Sequence, residues 1–334
     1  MIEEVTRQGV PIPADQVDGL LTMAARAPSI LNSQPWLFRV GDYAIELFAD
    51  PHRKLRADLT GREMLISCGA ALYGLRLAIR SLGYQPRVQL LPDPDRSALL
   101  ARVTLGDSEP ITDFERQLVE AMPHRHTHRG PFSGQPLPRG LLIGLQHDAV
   151  VEHASLALID RPAAFEQLAG IVARSARSQS ADEHARTDAR TWARRPGSAD
   201  RDGVPARAIP AQAGPRPGRL AQRDLDLGRG IGQLSTEGPP PAATAILLTT
   251  ADTRADWLRA GQALHRLLAH AATQWVFASL HSQPLEQQAV RDLIRSRLGL
   301  AGAPQVLLQL GVARIAEATA RRPASEVIIP PKMG

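Results

Sequence analysis

The sequence predicts an α+β protein built from two α+β halves in one chain. Three observations carry that expectation. Segments with the 3.6-residue repeat of helices and segments with the alternation or short apolar runs of strands both recur along the 334 residues. Their order is helix, β-hairpin, helix, strand, strand, helix, after which a second set of helices and strands begins near Arg125. One long excursion, Pro196 to Pro241, rich in Pro, Gly and Arg and without sustained periodicity, interrupts the second set. The length is enough for one large core or two cores sharing an interface.

In chain order, Pro13 stands where a helix can begin, and Val17, Leu20, Leu21 and Ala24 follow at helical spacing. Trp36 to Val40 and Ala44 to Phe48 read as strands joined through Gly41-Asp42. Gly61 to Leu82 reads as a long helix whose Gly69, Ala70, Ala71 and Gly74 let a second helix approach closely, so it belongs in the interior. Arg87 to Leu91 and Leu100 to Leu105 are strand candidates. Thr112 to Met122 is a helix opened by a capping-box pattern, Thr112 with Glu115. Arg125 to Phe132 is a polar loop, Leu137 to His147 a helix, His153 to Ile159 a strand, and Pro162 to about Ser178 a helix. Beyond the excursion come strand Ala245 to Thr250, helix Arg254 to Ala272 and strand Val276 to Leu280. Helix Glu286 to Leu298 and closing strand Gln305 to Leu310 complete the order.

Composition narrows the function classes. Hydrophobic residues make up 43% and charged residues 22%, ordinary for a globular chain. Met1–Val5 is acidic and lacks an apolar run, so no signal peptide is expected, and no apolar stretch approaches a membrane span. The single cysteine, Cys68, excludes an internal disulfide and a multi-cysteine metal site, and fits a reduced cytoplasm. The net charge of +5 invites a nucleic-acid reading. Against it, all but two of the 39 basic residues are arginine, as codon bias produces, and only 4% of residues are aromatic. The arginines from Arg186 to Arg229 alternate with Asp and Pro, which predicts a solvated, partly mobile segment rather than a nucleic-acid face.

Chemistry concentrates in Ala27-Pro28-Ser29-Ile30-Leu31-Asn32-Ser33-Gln34-Pro35-Trp36. Two prolines forbid helix and central strand, leaving a rigid shelf of hydroxyl and amide groups suited to a flat, polar-edged ring; a Pro-rich turn with self-capping amides is the plainer account. The pattern Pro28-Ser29-x-x-Asn32-x-Gln34-Pro35-Trp36 resembles the motif of the FMN-dependent nitroreductase superfamily. Arg125-His126-Thr127-His128-Arg129 has guanidinium and hydroxyl groups at every second position, which an extended loop projects to one side. This resembles the family's Arg-Arg-Ser-x-Arg element, with His126 and Thr127 at its second and third positions; an exposed His/Arg loop is the alternative. Three histidines lie within five residues, but no His-Glu-x-x-His pattern or nearby cysteine accompanies them, so no metal is expected.

The resemblance implies further positions. Arg321 and Arg322, after the closing strand, match a C-terminal arginine that reaches the FMN phosphate in the family, or else decorate a surface tail. Ser279 to Glu286 matches a loop over the flavin ring, with Gln283, Pro284, Leu285 and Glu286 opening a helix whose free N–H groups can donate to the ring edge. Arg62 matches a helix start beside the flavin, and a structural ion pair explains it equally well. The first half carries the shelf without the arginine element; the second carries the arginines without a second shelf. With the excursion and Asp252–Gly261, this arrangement is similar to the actinobacterial Acg-like branch from about Pro13 to Val327. Gln274-Trp275-Val276-Phe277 and Gln309 depart from it, at positions that bear on how open the pocket is.

The implied fold is therefore nitroreductase-like, with two pseudo-symmetric halves, 1–115 and 116–334, packed as an internal dimer and the excursion 196–241 as a lid. The implied function is an FMN-dependent oxidoreductase that takes hydride from NAD(P)H and passes electrons to a small flat acceptor such as a quinone, a nitroaromatic or a specific metabolite. No catalytic acid or base is expected, since the cofactor makes and breaks the bonds. The alternative is a protein that sequesters FMN beneath the lid with little turnover. One site per chain implies a monomer acting on small molecules, without nucleic acid or membrane.

Overall fold

The computed structural model describes residues 10–211, 217–235, 237–313 and 319–330. Met1–Val5 and parts of the excursion (212–216 and 236) lie outside them.

The first half opens with a 3-10 turn and helix α1 (Val17–Ala25), followed by strands β1 (Trp36–Val40) and β2 (Ala44–Ala49). Helix α2 (Arg62–Ser81) and strands β3 (Tyr84–Leu90) and β4 (Leu99–Ser108) complete it. The strands form an antiparallel sheet ordered β1-β2-β4-β3. Helix α3 (Asp113–Ala121) follows, and its N-terminus carries both hydrogen bonds of the capping box expected at Thr112 and Glu115.

Helix α4 (Arg139–Val151), strand β5 (Ser155–Leu158) and helices α5 (Pro162–Ser180) and α6 (Glu183–Trp192) begin the second half. Strand β6 (Ala243–Thr249), helix α7 (Arg254–Thr273), strand β7 (Val276–Leu280), helix α8 (Gln288–Leu298) and strand β8 (Ala303–Val312) follow. Their sheet runs β5-β6-β8-β7, all antiparallel. The two sheets share one topology: a pair of strands, a 20-residue helix, then a second pair whose last member inserts next to the second strand. The α+β class with two halves is thus what the chain adopts.

The two long helices meet at glycine. A Cβ on Gly69 would lie 2.2 Å from the Leu258 carbonyl oxygen, and one on Gly261 would lie 2.0 Å from that of Ile66. No larger residue fits either place without moving backbone, so the small residues of α2 do bring a second helix close. His265, fully buried on α7, places its Nδ1 2.7 Å from the Ala70 carbonyl oxygen across the same contact. The tail returns to the first half: the short turn α9 (Ala324–Val327) leads into Ile328, which pairs with Phe38 of β1, and Ile329 N–H donates to Phe38 at 2.7 Å.

The described residues between Arg186 and Arg229 correct the expectation of a solvated run. They begin within helix α6, which is capped by the Asp182 side chain on the Ala185 N–H. Trp192, Val204, Ile209, Leu225 and Ile231 are buried together with Leu31 and Leu55 of the first half, forming a small core of their own. Polar side chains replace regular pairing elsewhere in this stretch: the Asp226 carboxylate accepts from the N–H groups of Gly230, Ile231 and Gly232.

Candidate functional site

A cleft lies where the halves and the excursion meet. The shelf (Pro28, Ser29), α2 (Glu63, Ser67) and the excursion (Gln222, Arg223) each supply part of its wall. The second half adds Thr127 and Arg129 from the loop, Ser279 to Gln283 after β7, Leu264 of α7 and Val306 of β8.

Local structure explains how these side chains arrive there. Leu31, Asn32 and Gln34 all have positive φ (48°, 54° and 50°), rare for residues with a Cβ, so the shelf is a strained turn held by its surroundings. Ser29 Oγ accepts from the Gln34 N–H at 3.0 Å, and Ser67 Oγ accepts from the Ile30 N–H at 3.1 Å. The loop 125–129 is pinned to the edge of the second sheet. Thr127 bridges to Ala278, and the His128 N–H donates to Ala278 at 2.8 Å. His128 thereby turns inward toward Phe132 while Thr127 and Arg129 line the cleft.

Beside the cleft sits an uncompensated cluster of positive charge. Arg125, 3% exposed, donates through Nη2 to the Arg26 carbonyl oxygen at 2.8 Å. Arg321 donates to the same oxygen at 3.5 Å and to Asn32 Oδ1 at 3.0 Å. Among the described residues, none of Arg26, Arg125, Arg129 or Arg321 forms an ion pair with a carboxylate. The Nε groups of Arg125 and Arg321 are buried without a hydrogen-bond partner. Burial, together with the Arg321 and Arg26 charges, pushes Arg125 down to about 9; burial and Arg26 push Arg321 down to about 10, and burial alone takes Arg129 to about 10. Burial and the same guanidinium groups lower His126 to about 4. Buried charge without a partner is costly, and an anion in this place would remove the cost.

The other expected residues divide. Pro28, Ser29, Thr127, Arg129 and Gln283 line the cleft. Asn32 and Gln34 hold neighbouring chain instead: the Asn32 amide donates to Gly203 and Ala320, and that of Gln34 to Arg201. Arg322 is a fastener of the tail, its N–H donating to Gln34 Oε1 at 2.8 Å and its guanidinium pairing with Glu326. Arg62 lies in a buried ion pair. It is 1% exposed, paired with Glu63 and bonded to Gln305 Oε1 at 2.7 Å, away from the cleft lining. Leu285 belongs to the core with Leu168 and Ile294, Pro284 is buried, and Glu286 pairs with Arg223. The helix expected to open at Glu286 is preceded by a 3-10 turn, Gln283–Glu286.

Among the cleft residues not singled out as candidates are Glu63, Arg223 and, within the loop expected over the ring, His281. Glu63 lies one position from Arg62. Burial raises its carboxyl to about 7, with the Arg62 charge opposing and the Glu286 charge reinforcing. His281, 3% exposed, is lowered to about 4 by burial and is neutral near pH 7; its Nε2 has no partner. Arg223 reaches the cleft from the excursion. Gln309 tethers that excursion, accepting from the Leu220 N–H at 3.1 Å and donating to Gly218 at 3.3 Å. Trp275 is 57% exposed and does not line the cleft.

No family model matches the sequence. The Mycobacterium tuberculosis H37Rv protein named "Putative NAD(P)H nitroreductase Rv3131" is 36% identical over 326 residues, covering 94% of this chain and 91% of that protein. The chain belongs to the NAD(P)H nitroreductase family. A second nitroreductase relative, "Putative NAD(P)H nitroreductase acg" of the same organism, is 28% identical over 323 residues, 95% of this chain and 96% of that one, in keeping with the Acg-like branch. Among solved structures, a nitroreductase with bound FMN from Desulfitobacterium hafniense DCB-2 aligns with a TM-score of 0.41 at 10% identity, over 65% of this chain and 98% of that one. That likeness is too distant to add to the nitroreductase assignment. Among the described residues, no helix is long and apolar enough to cross a membrane, and no group of three or more metal-ligating side chains occurs.

Proposed function

We propose that the chain binds one FMN in the cleft between its halves and acts as a nitroreductase-type NAD(P)H oxidoreductase on a small flat acceptor. The observation that carries this reading is the cluster of Arg125, Arg321 and Arg26 beside a cleft lined from both halves. A dianionic phosphate is the complement that the partnerless Nε groups of Arg125 and Arg321 lack. Arg125 and Arg321 would hold the phosphate, Ser29, Thr127 and Arg129 would border the rest of the cofactor, and Ser282 and Gln283 would meet the ring edge. When bound, FMN supplies the hydride chemistry, accepting from a nicotinamide and reducing the acceptor. The apolar walls of Ile66, Leu264 and Val306 keep water from that side. Residues 1–115 contribute the shelf and Arg26, and 116–334 contribute Arg125 and Arg321, so a single chain is the working unit.

One observation favours the second reading, a flavin held under a lid. Pro210, Ala221, Gln222, Arg223 and Leu225 line the cleft, and Asn32, Gln34 and Gln309 bond the excursion down. Removing Gly203 to Gly218 would therefore not spare the fold, because Val204 and Ile209 are completely buried. Anaerobic mixing of the FMN-loaded protein with NADPH separates the readings. Bleaching of the flavin absorbance within a catalytic turnover time is expected for the oxidoreductase; a flavin that NADPH leaves yellow while dithionite bleaches it would favour storage.

A further inference from the structure

Two arginines line the cleft, and their surroundings differ. Arg223 is paired with Glu286. Arg129 has neither a carboxylate nor a side-chain hydrogen bond among the described residues. Glu63, the acid on the cleft wall, is committed to Arg62. Arg129 is thus a half-buried guanidinium on the wall of a cleft whose own residues supply it no counter-charge, and its desolvation goes unrepaid.

Arg129 also stands apart from the cluster beside the cleft. Arg125, Arg321 and Arg26 oppose one another's charge, and none of them acts on Arg129. The chain between them explains the separation. The bridge from Thr127 to Ala278 and the His128 N–H bond to the same residue hold this stretch extended along β7. Four residues of extended chain put as much as about 13 Å between the Cα atoms of Arg125 and Arg129. Arg129 acts instead on His128 and His281. His281, on the cleft wall, is kept neutral near pH 7 by burial and offers no opposing charge. Thr127 lies two positions before Arg129 on the same face of the extended stretch and lines the same cleft. Among the described residues, no hydrogen bond occupies its hydroxyl.

We propose that Arg129, at the border of the cofactor and with the Thr127 hydroxyl beside it, is the anion site for the second ligand of the cleft, and that the acceptor is a flat molecule carrying one carboxylate. This rests on the FMN reading above, in which the phosphate belongs to Arg125 and Arg321. A carboxylate matches what is free there: one planar guanidinium fork takes two carboxylate oxygens in parallel, and a hydroxyl donates a further bond. Ile66, Leu264 and Val306, on the walls of the same cleft, give the apolar surface that a flat ring bearing the carboxylate needs. A neutral acceptor would leave Arg129 without a partner, so the site selects by charge.

The test compares benzoate with benzamide, a neutral molecule of nearly the same shape, as ligands of the FMN-loaded oxidised protein, followed by flavin absorbance and by calorimetry. Wild type should bind benzoate at least about tenfold more tightly than benzamide, the scale of a charge-assisted hydrogen bond. Arg129→Gln should bring the two affinities together, and Arg129→Lys should leave an intermediate preference, since it keeps the charge without the fork. Taking the ratio within each protein cancels any change that the substitution makes to the flavin site as a whole. Equal binding of the two ligands by wild type, or a preference that survives Arg129→Gln, overturns the proposal. A substitution that weakens NADPH binding and spares benzoate also overturns it, since the anion would then be a phosphate of the donor. Failure of wild type to bind FMN would instead overturn the reading beneath it. The same two ligands, titrated into the FMN-free chain with inorganic phosphate saturating the Arg125 cluster, would still decide whether Arg129 holds the carboxylate.

Discussion

Gly261→Ala is expected to destabilise the folded chain by on the order of 4 kcal/mol or more, an effect reserved for changes that force packed backbone apart. The added Cβ would meet the Ile66 carbonyl oxygen at 2.0 Å and the Ala70 nitrogen at 2.7 Å, both main-chain atoms that cannot rotate away. Helix propensity alone predicts the opposite sign, since alanine is the better helix former by about 1 kcal/mol. Gly19→Ala provides that contrast within the same protein. Gly19 lies on the exposed face of α1 with nothing within 4 Å of its would-be Cβ, so the substitution should stabilise by about 0.5–1 kcal/mol. Urea unfolding of both variants beside wild type measures the pair of effects. Equal shifts of either sign would mean that the contact between α2 and α7 does not hold the halves together.

Arg125→Ala is expected to weaken FMN binding by about 1.5–3 kcal/mol, or roughly 10- to 150-fold, and to leave riboflavin binding unchanged. The reason lies in what surrounds the guanidinium: Arg321, Arg26 and a carbonyl oxygen, with no carboxylate to keep it company. For the same reason the substitution should not cost stability without FMN, because it removes a buried charge that only its neighbours oppose. Titration calorimetry with the two flavins, and thermal melting without either, check both halves of this expectation. Parallel losses for FMN and riboflavin would make Arg125 a structural residue.

What could be read from the sequence follows the range of the interactions. The hairpin at Gly41-Asp42, the capping box at Thr112 and the glycine-bearing face of α2 depend on neighbours a few residues away, and all are present. At the site, the candidate residues fall on segments that line the cleft more often than their own side chains do. Arg62 and Glu63 are adjacent on one helix and so point about 100° apart; which of them meets the cleft depends on Gln305, 243 positions away. Asn32 and Gln34 have the amides a ring edge would need, yet Gly203 and Arg201 claim them. Helix α6 did leave a local signal, Asp182 at its cap and Ala185, Ala189 and Trp192 along one face, obscured by the arginines between them. The buried residues of the excursion left none. They pack on Leu31 and Leu55 from irregular positions, with Asp226 in place of a repeating backbone pattern.

The central claim is that two unlike halves, one with the shelf and one with Arg125 and Arg321, build a single flavin site. Titrating the flavin-free protein with FMN in a calorimeter tests it most directly. One FMN per chain, bound by a protein that stays monomeric at saturation, is the expected result; two per chain, or no heat and no yellow protein, would contradict it.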